Sequence, residues 1–431
     1  MINTWMIMSM TMKEYRPRIA DRELEIMLKS FGAVSIVGPK WCGKTTTAEQ
    51  VAKSAAYMQD PDKKKDYKLM MDVRPSMILE GERPRLIDEW QEEPSIWDAV
   101  RFSVDKQSEE GMYILTGSVT IDESKIMHSG AGRIGRMRMS TMSLSESGDS
   151  TGEVSLSKML SGDEVSGISH HSLDDVAALV VRGGWPKTVG KEPMVAYRHI
   201  RDYCETILRS EVKTADGVSR DSERMRWVLK SISRNISTPA PDTTIIADIE
   251  KKDRGSLHIN TLRAYEKALS EIHVIDDLTA WTPKLRSRAT IKMSDTRHLA
   301  DPAIAAYFLG ASAGDLTADM NTFGLLFESM VIRDLRAYTR PLGGEVFHYR
   351  DRDGLEADAV VHLHNGKWGA VEVKLGAGMI EDAARNLLKL KDKVECETMG
   401  SPSFLAVVTA TQYAYTRKDG VHVVPIGCLR D

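Results

Sequence analysis

Eight residues near the start of the chain have the types and spacing of a loop that binds nucleotide phosphates. Residues 38–45 read Gly-Pro-Lys-Trp-Cys-Gly-Lys-Thr and fit the pattern G-x-x-x-x-G-K-[ST] at every fixed position. The glycines let backbone N–H groups turn towards phosphate oxygens. Lys44 is placed to reach the β- and γ-phosphates, and the Thr45 hydroxyl is placed to coordinate Mg²⁺. We therefore expect ATP and Mg²⁺ to bind here.

A second motif supplies carboxylates for the same chemistry. The apolar residues 86–87 lead to Asp88 and Glu89. We expect Asp88 to hold Mg²⁺ through water and Glu89 to orient and polarise the attacking water. Such a run alone is common at solvated strand ends, but its position after a phosphate loop favours the catalytic interpretation.

Two further segments extend the expected nucleotide site. Residues 113–118 end in Thr-Gly-Ser, and Thr116 is a candidate sensor of the γ-phosphate; the alternative is a plain junction between strand and turn. Residues 132–138 carry three arginines, of which Arg133 is our first choice for an arginine finger from the same or a neighbouring subunit. A solvated arginine is the alternative. The expected nucleotide contacts are Gly38, Pro39, Lys40, Trp41, Cys42, Gly43, Lys44, Thr45, Thr46, Asp88 and Thr116.

A group of charged residues near the C-terminus has the composition of a metal-dependent hydrolase site. Asp358 opens an apolar run, an Asn-Gly turn signal follows, and the next run ends in Glu372 and Lys374. Because side chains alternate along a strand, Glu372 and Lys374 share a face, and a hairpin would bring Asp358 beside them. Glu328, on a preceding helix, would complete a site for Mg²⁺ or Mn²⁺, with Lys374 in a catalytic role. The alternatives are a charged sheet edge, or a nuclease-like fold that only binds nucleic acid.

The elements that position the phosphate loop follow from hydrophobic periodicity. Residues 33–37 are typical of a buried strand and residues 43–56 of a helix. Three further apolar runs, at 68–72, 85–88 and 112–115, are typical of short strands. Short strands separated by helices predict a parallel sheet with helices on both faces.

The middle of the chain is predicted to be mostly helical. Residues 143–171 are rich in Ser and Gly, which predicts a loop or a weakly ordered connection. Helices are predicted at 173–181 and 195–209. Short helices between 222 and 280, followed by a β-like run at 272–278, have the order of a winged helix-turn-helix. A generic helical domain remains the alternative.

The last part of the chain alternates helices and strands in a separate α/β domain. The predicted helices are residues 325–338 and 379–390, and the predicted strands are residues 346–350, 357–362, 368–374 and 404–408.

Composition limits the function further. The chain has 431 residues, which suggests two to four domains, and a net charge of −4, so nucleic acid would need local basic patches. The four cysteines form no C-x-x-C pair, which argues against a zinc site and favours the reducing cytoplasm. No stretch is apolar enough to span a membrane, so we expect a soluble protein without a membrane partner.

Together these motifs resemble the bacterial and archaeal AAA-type ATPases that carry a C-terminal domain called DUF4143. The resemblance is carried by the segments 38–45, 86–91, 115–118, 132–133, 183–186, 324–328, 349–351, 356–358 and 372–374. The spacing of Asp358 and Glu-x-Lys is also similar to that of the PD-(D/E)-x-K nuclease superfamily. This chain departs from the ATPase family in the Ser/Gly-rich stretch after Met142 and in the bulky Trp41 and Cys42 of the loop.

The resemblance implies an α/β fold in three parts: a P-loop AAA-type core, a winged-helix-like middle and a C-terminal restriction-endonuclease-like domain. We expect an N-terminal extension at residues 1–17, the core at 18–145, a linker at 146–172, a helical lid at 173–220, the winged-helix-like domain at 221–300 and the DUF4143-type domain at 301–431. Three functions remain open. They are an ATPase coupled to a DNA-directed nuclease, a nucleotide-switched protein that binds nucleic acid or protein, and a signalling ATPase that assembles into homo-oligomers.

Overall fold

The computed structural model describes residues 15–119, 129–211, 220–251, 257–283, 294–395 and 399–431. Most of the predicted N-terminal extension therefore lies outside the described residues. The helices and strands of the first part are α1 (Ile19–Leu28), β1 (Ala33–Val37), α2 (Lys44–Glu49), β2 (Ser54–Tyr57), α3 (Lys64–Val73), β3 (Arg85–Asp88), α4 (Ser95–Gln107), β4 (Tyr113–Gly117) and β5 (Ile134–Arg138).

These strands form a five-stranded sheet in the order β2-β3-β4-β1-β5, in which every pair is parallel. Leu24 of α1 and Ala48 of α2 pack on one face, whereas Met71 of α3 and Trp97 of α4 pack on the other. The predicted parallel sheet with helices on both faces is confirmed. Since β1 lies between β4 and β5, the loop that follows it opens at the carboxyl edge between these two strands.

Two predicted elements of this part are wrong. The helix predicted at 43–56 ends at Glu49, and the small apolar residues after it form the edge strand β2. The strand predicted at 68–72 lies inside α3, where Tyr67 and Met71 are buried four residues apart. Four residues is the repeat of one helix face, so packing on the sheet selects the helix over the short apolar run.

The middle part begins with α5 (Leu144–Ser147), β6 (Val154–Ser155), α6 (Leu156–Met159) and β7 (Ser166–Ile168). The prediction of a weakly ordered loop at 143–171 is therefore wrong. The Ser143 hydroxyl accepts a hydrogen bond from the Glu146 N–H and caps α5. β6 pairs with the last strand of the chain, and β7 joins the C-terminal sheet, so partners far along the chain order this polar segment.

Helices α7 (Leu173–Arg182) and α8 (Pro193–Thr206) follow, and then α9 (Ser222–Arg234), α10 (Asp242–Glu250) and α11 (Ile259–Glu271). After α11 the chain forms two antiparallel bridges, Ile275 with Leu299 and Leu278 with Thr296. Three helices followed by a short ribbon is the order that the sequence predicted. Residues 284–293, between the two halves of these bridges, lie outside the described residues.

The last part contains α12 (Pro302–Leu309), α13 (Ala313–Ala318), α14 (Met320–Thr339), β8 (Gly344–Arg350), β9 (Glu356–Leu363), β10 (Trp368–Lys374), α15 (Ile380–Glu395), β11 (Phe404–Thr409), β12 (Tyr413–Thr416), β13 (His422–Pro425) and β14 (Leu429–Arg430). Its mixed sheet has the order β7-β12-β13-β11-β10-β9-β8. Phe327 of α14 and Leu387 of α15 are buried on opposite faces, so the predicted α/β class is confirmed here too.

No helix in the described ranges is long and apolar enough to cross a membrane.

Candidate functional site

The phosphate loop joins β1 to α2 in a conformation that requires glycine. Gly38 and Gly43 have φ angles of 152° and 109°, and Trp41 has a φ of 65°. A Cβ atom at Gly38 would lie 2.0 Å from the carbonyl oxygen of Met139, which no larger residue could tolerate. The conformation of the loop therefore depends on the glycines that the motif requires.

Lys44 places its ammonium group inside this loop. The side chain is buried, and Nζ donates hydrogen bonds of 2.9 Å to the carbonyl oxygens of Gly38 and Pro39. A buried cation that donates to neutral carbonyls favours an anionic partner, because neutral groups compensate its desolvation incompletely. This position suits a bound phosphate.

Three predicted residues converge beside the loop. The Thr45 hydroxyl donates to Asp88 Oδ1 at 2.7 Å, and the Thr116 hydroxyl donates to the same oxygen at 2.5 Å. The contact follows from the sheet, since Asp88 at the end of β3 is in register with Thr116 of β4. The Asp88 carboxylate thus links the phosphate loop to β3 and β4. Carboxylate and hydroxyl oxygens are ligands that Mg²⁺ prefers.

Glu89 lies directly after β3 in a left-handed conformation with a φ of 54°. Its carboxylate oxygen Oε2 accepts a hydrogen bond from the Gln91 amide and one of 3.4 Å from the Ser118 hydroxyl. A non-glycine residue with positive φ is uncommon and concentrates at functional sites. Sequence reasoning gave Gln91 no role in the site, although its place two residues after Glu89 could have suggested this contact.

Arg133 is not placed to contact a nucleotide bound to its own chain. It precedes β5, whose first residue is in register with Ala33, whereas the phosphate loop follows Val37 at the other end of β1. Five residues of strand separate the two ends by about 16 Å. Arg133 instead forms an ion pair of 2.6 Å with Asp105. Its prediction as a finger within the same chain is therefore wrong, and a role towards a neighbouring subunit stays a prediction.

The bulky residues of the loop contact the predicted lid. The Trp185 indole donates to the Lys40 carbonyl oxygen at 3.1 Å, and the Tyr203 ring lies 5.8 Å from the Trp41 ring. On the other side, Arg18 donates to the carbonyl oxygen of Cys42 at 2.7 Å. Trp41 is nevertheless 43% exposed. The departures from the family pattern at Trp41 and Cys42 thus fit into the loop without disturbing its shape.

The second predicted site lies on the hairpin of β9 and β10. The two strands pair antiparallel, with Val371 opposite Ala359. Lys374 Nζ lies 2.7 Å from Glu372 Oε2 and 3.3 Å from Asp358 Oδ2, so these three side chains meet as expected. Asp358 also accepts a hydrogen bond of 2.7 Å from the Val373 N–H.

Helix α15 adds one residue that sequence reasoning missed. The Asn386 amide donates to Glu372 Oε1 at 2.7 Å and to the carbonyl oxygen of Glu356 at 2.7 Å. It fixes the orientation of the Glu372 carboxylate. No pattern in the sequence pairs Asn386 with that acid, because the contact depends on how α15 packs on the sheet.

Buried acids give this second site an unusual protonation state. Burial, reinforced by the charge of Asp358, raises the pKa of Glu372 to about 7. The pKa of Glu328 is raised well above its ordinary value by burial and by the same neighbour. The three carboxylates therefore lie close enough to repel one another, which favours a cation among them.

Lys374 is the cation that lies among these carboxylates. In the described part of the chain, no group of three or more acidic, histidine or cysteine side chains is arranged to hold a metal ion. The residue types fit a divalent ion, but the ammonium group takes the central position between Asp358 and Glu372. The metal role of Glu328, Asp358 and Glu372 therefore stays a prediction.

Comparison with known proteins agrees with the fold and with the loop. Residues 30–148 match the family model of an AAA domain, and residues 323–429 match a domain of unknown function, DUF4143. Residues 173–315 match another domain of unknown function, DUF8612. No curated protein matches the chain.

Among solved structures, the Walker-type ATPase PABY2304 of Pyrococcus abyssi is similar over 69% of this chain and 97% of its own. The identity is 13% and the TM-score 0.40, so this likeness supports no argument here. The chain therefore carries, at residues 30–148, an AAA-type domain that contains the parallel sheet and the phosphate loop. Its C-terminal part is a DUF4143 domain.

Proposed function

We propose that this protein hydrolyses ATP with Mg²⁺ at residues 38–45 and uses the nucleotide state to control its C-terminal domain. The observation that supports hydrolysis most strongly is the shared contact of Thr45 and Thr116 with Asp88, next to the buried ammonium of Lys44. A nucleotide-binding loop alone would need only the loop itself. The added carboxylates favour an enzyme.

Each residue has a separate task in this proposal. Lys44 binds the β- and γ-phosphates, while Thr45 and Asp88 would hold Mg²⁺, which neutralises charge on the phosphates when bound. Glu89 orients the attacking water and accepts its proton. Gln91 and Ser118 donate the hydrogen bonds described above to the Glu89 carboxylate. These bonds fix the position of the carboxylate.

Replacing Glu89 with glutamine is expected to lower ATP turnover by about 10²- to 10³-fold while ATP affinity stays within about threefold. The amide keeps the shape of the side chain but cannot accept the proton of water. Phosphate release and a binding isotherm measure the two effects. Glu93→Gln is the matched control, because Glu93 lies four residues later and accepts a hydrogen bond of 2.8 Å from the Ser95 hydroxyl. Unchanged turnover in Glu89→Gln would remove Glu89 from the mechanism.

The coupling to the C-terminal domain is supported by direct contacts. Arg340, which follows α14, donates to the carbonyl oxygen of Arg138 at the end of β5 at 3.2 Å. The Thr141 hydroxyl donates to Asp301 at 2.7 Å, and Asp301 in turn binds Arg333 of α14 at 3.0 Å. Helix α14 of the DUF4143 domain and the residue that follows it are therefore connected to β5, the strand beside the phosphate loop, and to the segment after it.

A second candidate activity is metal-dependent cleavage of DNA by the C-terminal domain. The convergence of Asp358, Glu372, Lys374 and Glu328 at one sheet edge favours it. These three acids would hold Mg²⁺ or Mn²⁺, which activates a water for attack on a phosphodiester when bound. The three helices and short ribbon of residues 222–299 would bind DNA in the manner of a winged helix.

Purified protein with Mn²⁺ is expected to nick linear or branched DNA, and Asp358→Ala is expected to reduce nicking by at least about 10²-fold. Gel assays with and without ATP measure both the cleavage and its coupling. Asp353→Ala is the control, since Asp353 lies in the connection between β8 and β9, five residues before Asp358, but pairs with Lys393. Cleavage that persists in Asp358→Ala would show another site or a contaminant. DNA binding without cleavage would favour a nuclease-like fold that only binds.

The remaining proposal is a regulatory ATPase whose nucleotide state controls assembly into homo-oligomers. Light scattering with ATP and with ADP tests it, and ATP-dependent assembly without affinity for DNA would favour it.

We also propose a cytoplasmic location. Cys42, Cys204 and Cys428 are free and buried, as expected for a protein of a reducing compartment.

A further inference from the structure

Arg138 leaves the core sheet at the same edge as the phosphate loop. It is the last residue of β5 and is in register with Val37, the residue before Gly38. Neighbouring strands lie about 4.8 Å apart, so the Arg138 backbone is next to the start of the loop. Of the three arginines between residues 132 and 138, it is the one at the carboxyl edge.

One buried carboxylate, Asp276, holds Arg138 in place. Arg138 Nη2 lies 3.1 Å from Asp276 Oδ1, while Arg336 Nη1 lies 3.0 Å from Asp276 Oδ2. Burial alone would raise the pKa of Asp276, yet the arginines around it lower it. The Arg138 side chain is 37% exposed, whereas that of Arg336 is 12% exposed. Arg138 is thus the partner that can leave at the smaller cost.

Three arginines surround this carboxylate, namely Arg138, Arg336 and Arg340, and two further acids, Asp277 and Glu23, lie near the last two of them. Burial lowers the pKa of Arg340 to about 10, and repulsion by Arg138 and Arg336 adds to the effect. Burial lowers the pKa of His273 to about 3, and the charges of Arg138 and Lys44 lower it further. His273 is therefore neutral at pH 7 and lies near both cations. An anion bound in the phosphate loop would lie near Arg138 and Lys44 and would be attracted by both charges.

We propose that Arg138 contacts the terminal phosphate of ATP bound to its own chain, and that Asp276 holds Arg138 when this phosphate is missing. The inference rests on the proposed ATP site and adds to it a residue that distinguishes ATP from ADP. Arginine suits this role because its planar group donates two parallel hydrogen bonds to a phosphate. When the bound nucleotide is ADP, Asp276 compensates the positive charge of Arg138.

The exchange also connects the nucleotide to the C-terminal domain. When Arg138 turns to the phosphate, Asp276 keeps its ion pair with Arg336 of α14. Arg336 also donates to the carbonyl oxygens of Asp276 and Asp277 at 2.7 and 2.8 Å. A change in the contacts of Asp276 therefore alters those of Arg336, which lies on α14, the helix that carries Glu328.

The test compares the affinity of two nucleotides for the full-length protein. With Mg²⁺, Arg138→Ala is expected to weaken binding of a non-hydrolysable ATP analogue by about tenfold or more, while ADP affinity stays within about twofold. ATP turnover is expected to fall by about 10²-fold. Titration calorimetry gives both affinities, and normal ADP binding shows that the variant is folded.

Two further variants serve as controls. Arg136→Ala lies on the same strand, two residues before Arg138, and should change neither affinity. Arg138→Lys keeps the charge and should recover part of the preference for the analogue. An Arg138→Ala variant that loses affinity for both nucleotides equally, or for neither, overturns the proposal.

The outcome can be separated from the proposed ATPase activity. If the wild-type protein binds both nucleotides without turnover, the proposed hydrolysis fails, and the ratio of the two affinities still decides the role of Arg138. If the wild-type protein binds neither nucleotide, both proposals fall. Normal turnover with an unchanged affinity ratio in Arg138→Ala rejects the role of Arg138 alone.

Discussion

Replacing Lys44 with alanine is expected to abolish measurable ATP turnover and to weaken ATP binding by about 10²-fold or more. The ammonium group is buried inside the phosphate loop, where it donates to Gly38 and Pro39. Alanine removes the charge that would face the β- and γ-phosphates and leaves a gap in the loop. Calorimetry and a phosphate-release assay measure the two losses.

Lys53→Ala is the control for this experiment. Lys53 is an exposed lysine shortly after α2, so it tests whether loss of a nearby positive charge is enough. Unchanged affinity and turnover in Lys44→Ala would contradict the assignment of the loop. A loss of turnover with unchanged affinity would show that Lys44 stabilises the transition state but does not contribute to ATP binding.

Replacing Arg333 with methionine is expected to lower the free energy of unfolding by about 3–5 kcal/mol. Its guanidinium lies between Asp301 and Asp334, at 3.0 Å from Oδ2 and 2.7 Å from Oδ1 respectively, and the acids are fully buried. Burial would lower the pKa of Arg333, but the two acids outweigh it and raise it. Methionine fills the volume but leaves two buried carboxylates without a cation.

The group around Arg333 joins several parts of the protein. Asp301 Oδ2 also accepts a hydrogen bond of 2.9 Å from the Gly184 N–H, and Asp334 Oδ2 accepts one of 2.9 Å from the Leu144 N–H. These backbone groups belong to the turn before α8 and to the start of α5. Loss of the arginine should therefore loosen the lid and the C-terminal domain together.

Urea unfolding at several pH values measures this effect and its cause. Burial already raises the pKa of Asp334, and loss of Arg333 in Arg333→Met removes the charge that lowers it, so the folded state binds more protons and stability falls as pH rises. The deficit relative to wild type should therefore shrink as pH falls from 7 to 5. Arg234→Met is the control, since Arg234 is 45% exposed, pairs with Asp248, and should cost below about 1 kcal/mol. A pH-independent deficit would point to packing instead.

Much of the two sites could be predicted from local sequence. The phosphate loop depends on eight consecutive residues and the strand before them, so its geometry follows from the chain itself. The group of Asp358, Glu372 and Lys374 is carried by one hairpin. Its turn is closed by a hydrogen bond from the Gly366 N–H to the Leu363 carbonyl oxygen at 3.0 Å. Side-chain alternation then determines which residues share a face.

Other features needed the tertiary structure. Whether Arg133 or Arg138 is near the loop depends on β5 lying beside β1 and running parallel to it. The order of strands joined by crossovers cannot be predicted from local sequence. The segment 143–171 is polar throughout, and its short strands are stable only because β12 and β14 pair with them. Local composition describes a loop there, and distant partners supply the missing hydrogen bonds.

The sequence by itself determined that this chain has a P-loop core, that Asp88 and Glu89 follow a strand, and that a charged hairpin lies near the C-terminus. Only the tertiary structure decided which groups share each charge: Asp88 with two threonines, Glu372 with Asn386, and Asp276 with Arg138 and Arg336. The physical reason is that backbone conformation is set by neighbours along the chain. The partner of a buried charge, by contrast, is set by whichever group the packing brings within about 3 Å.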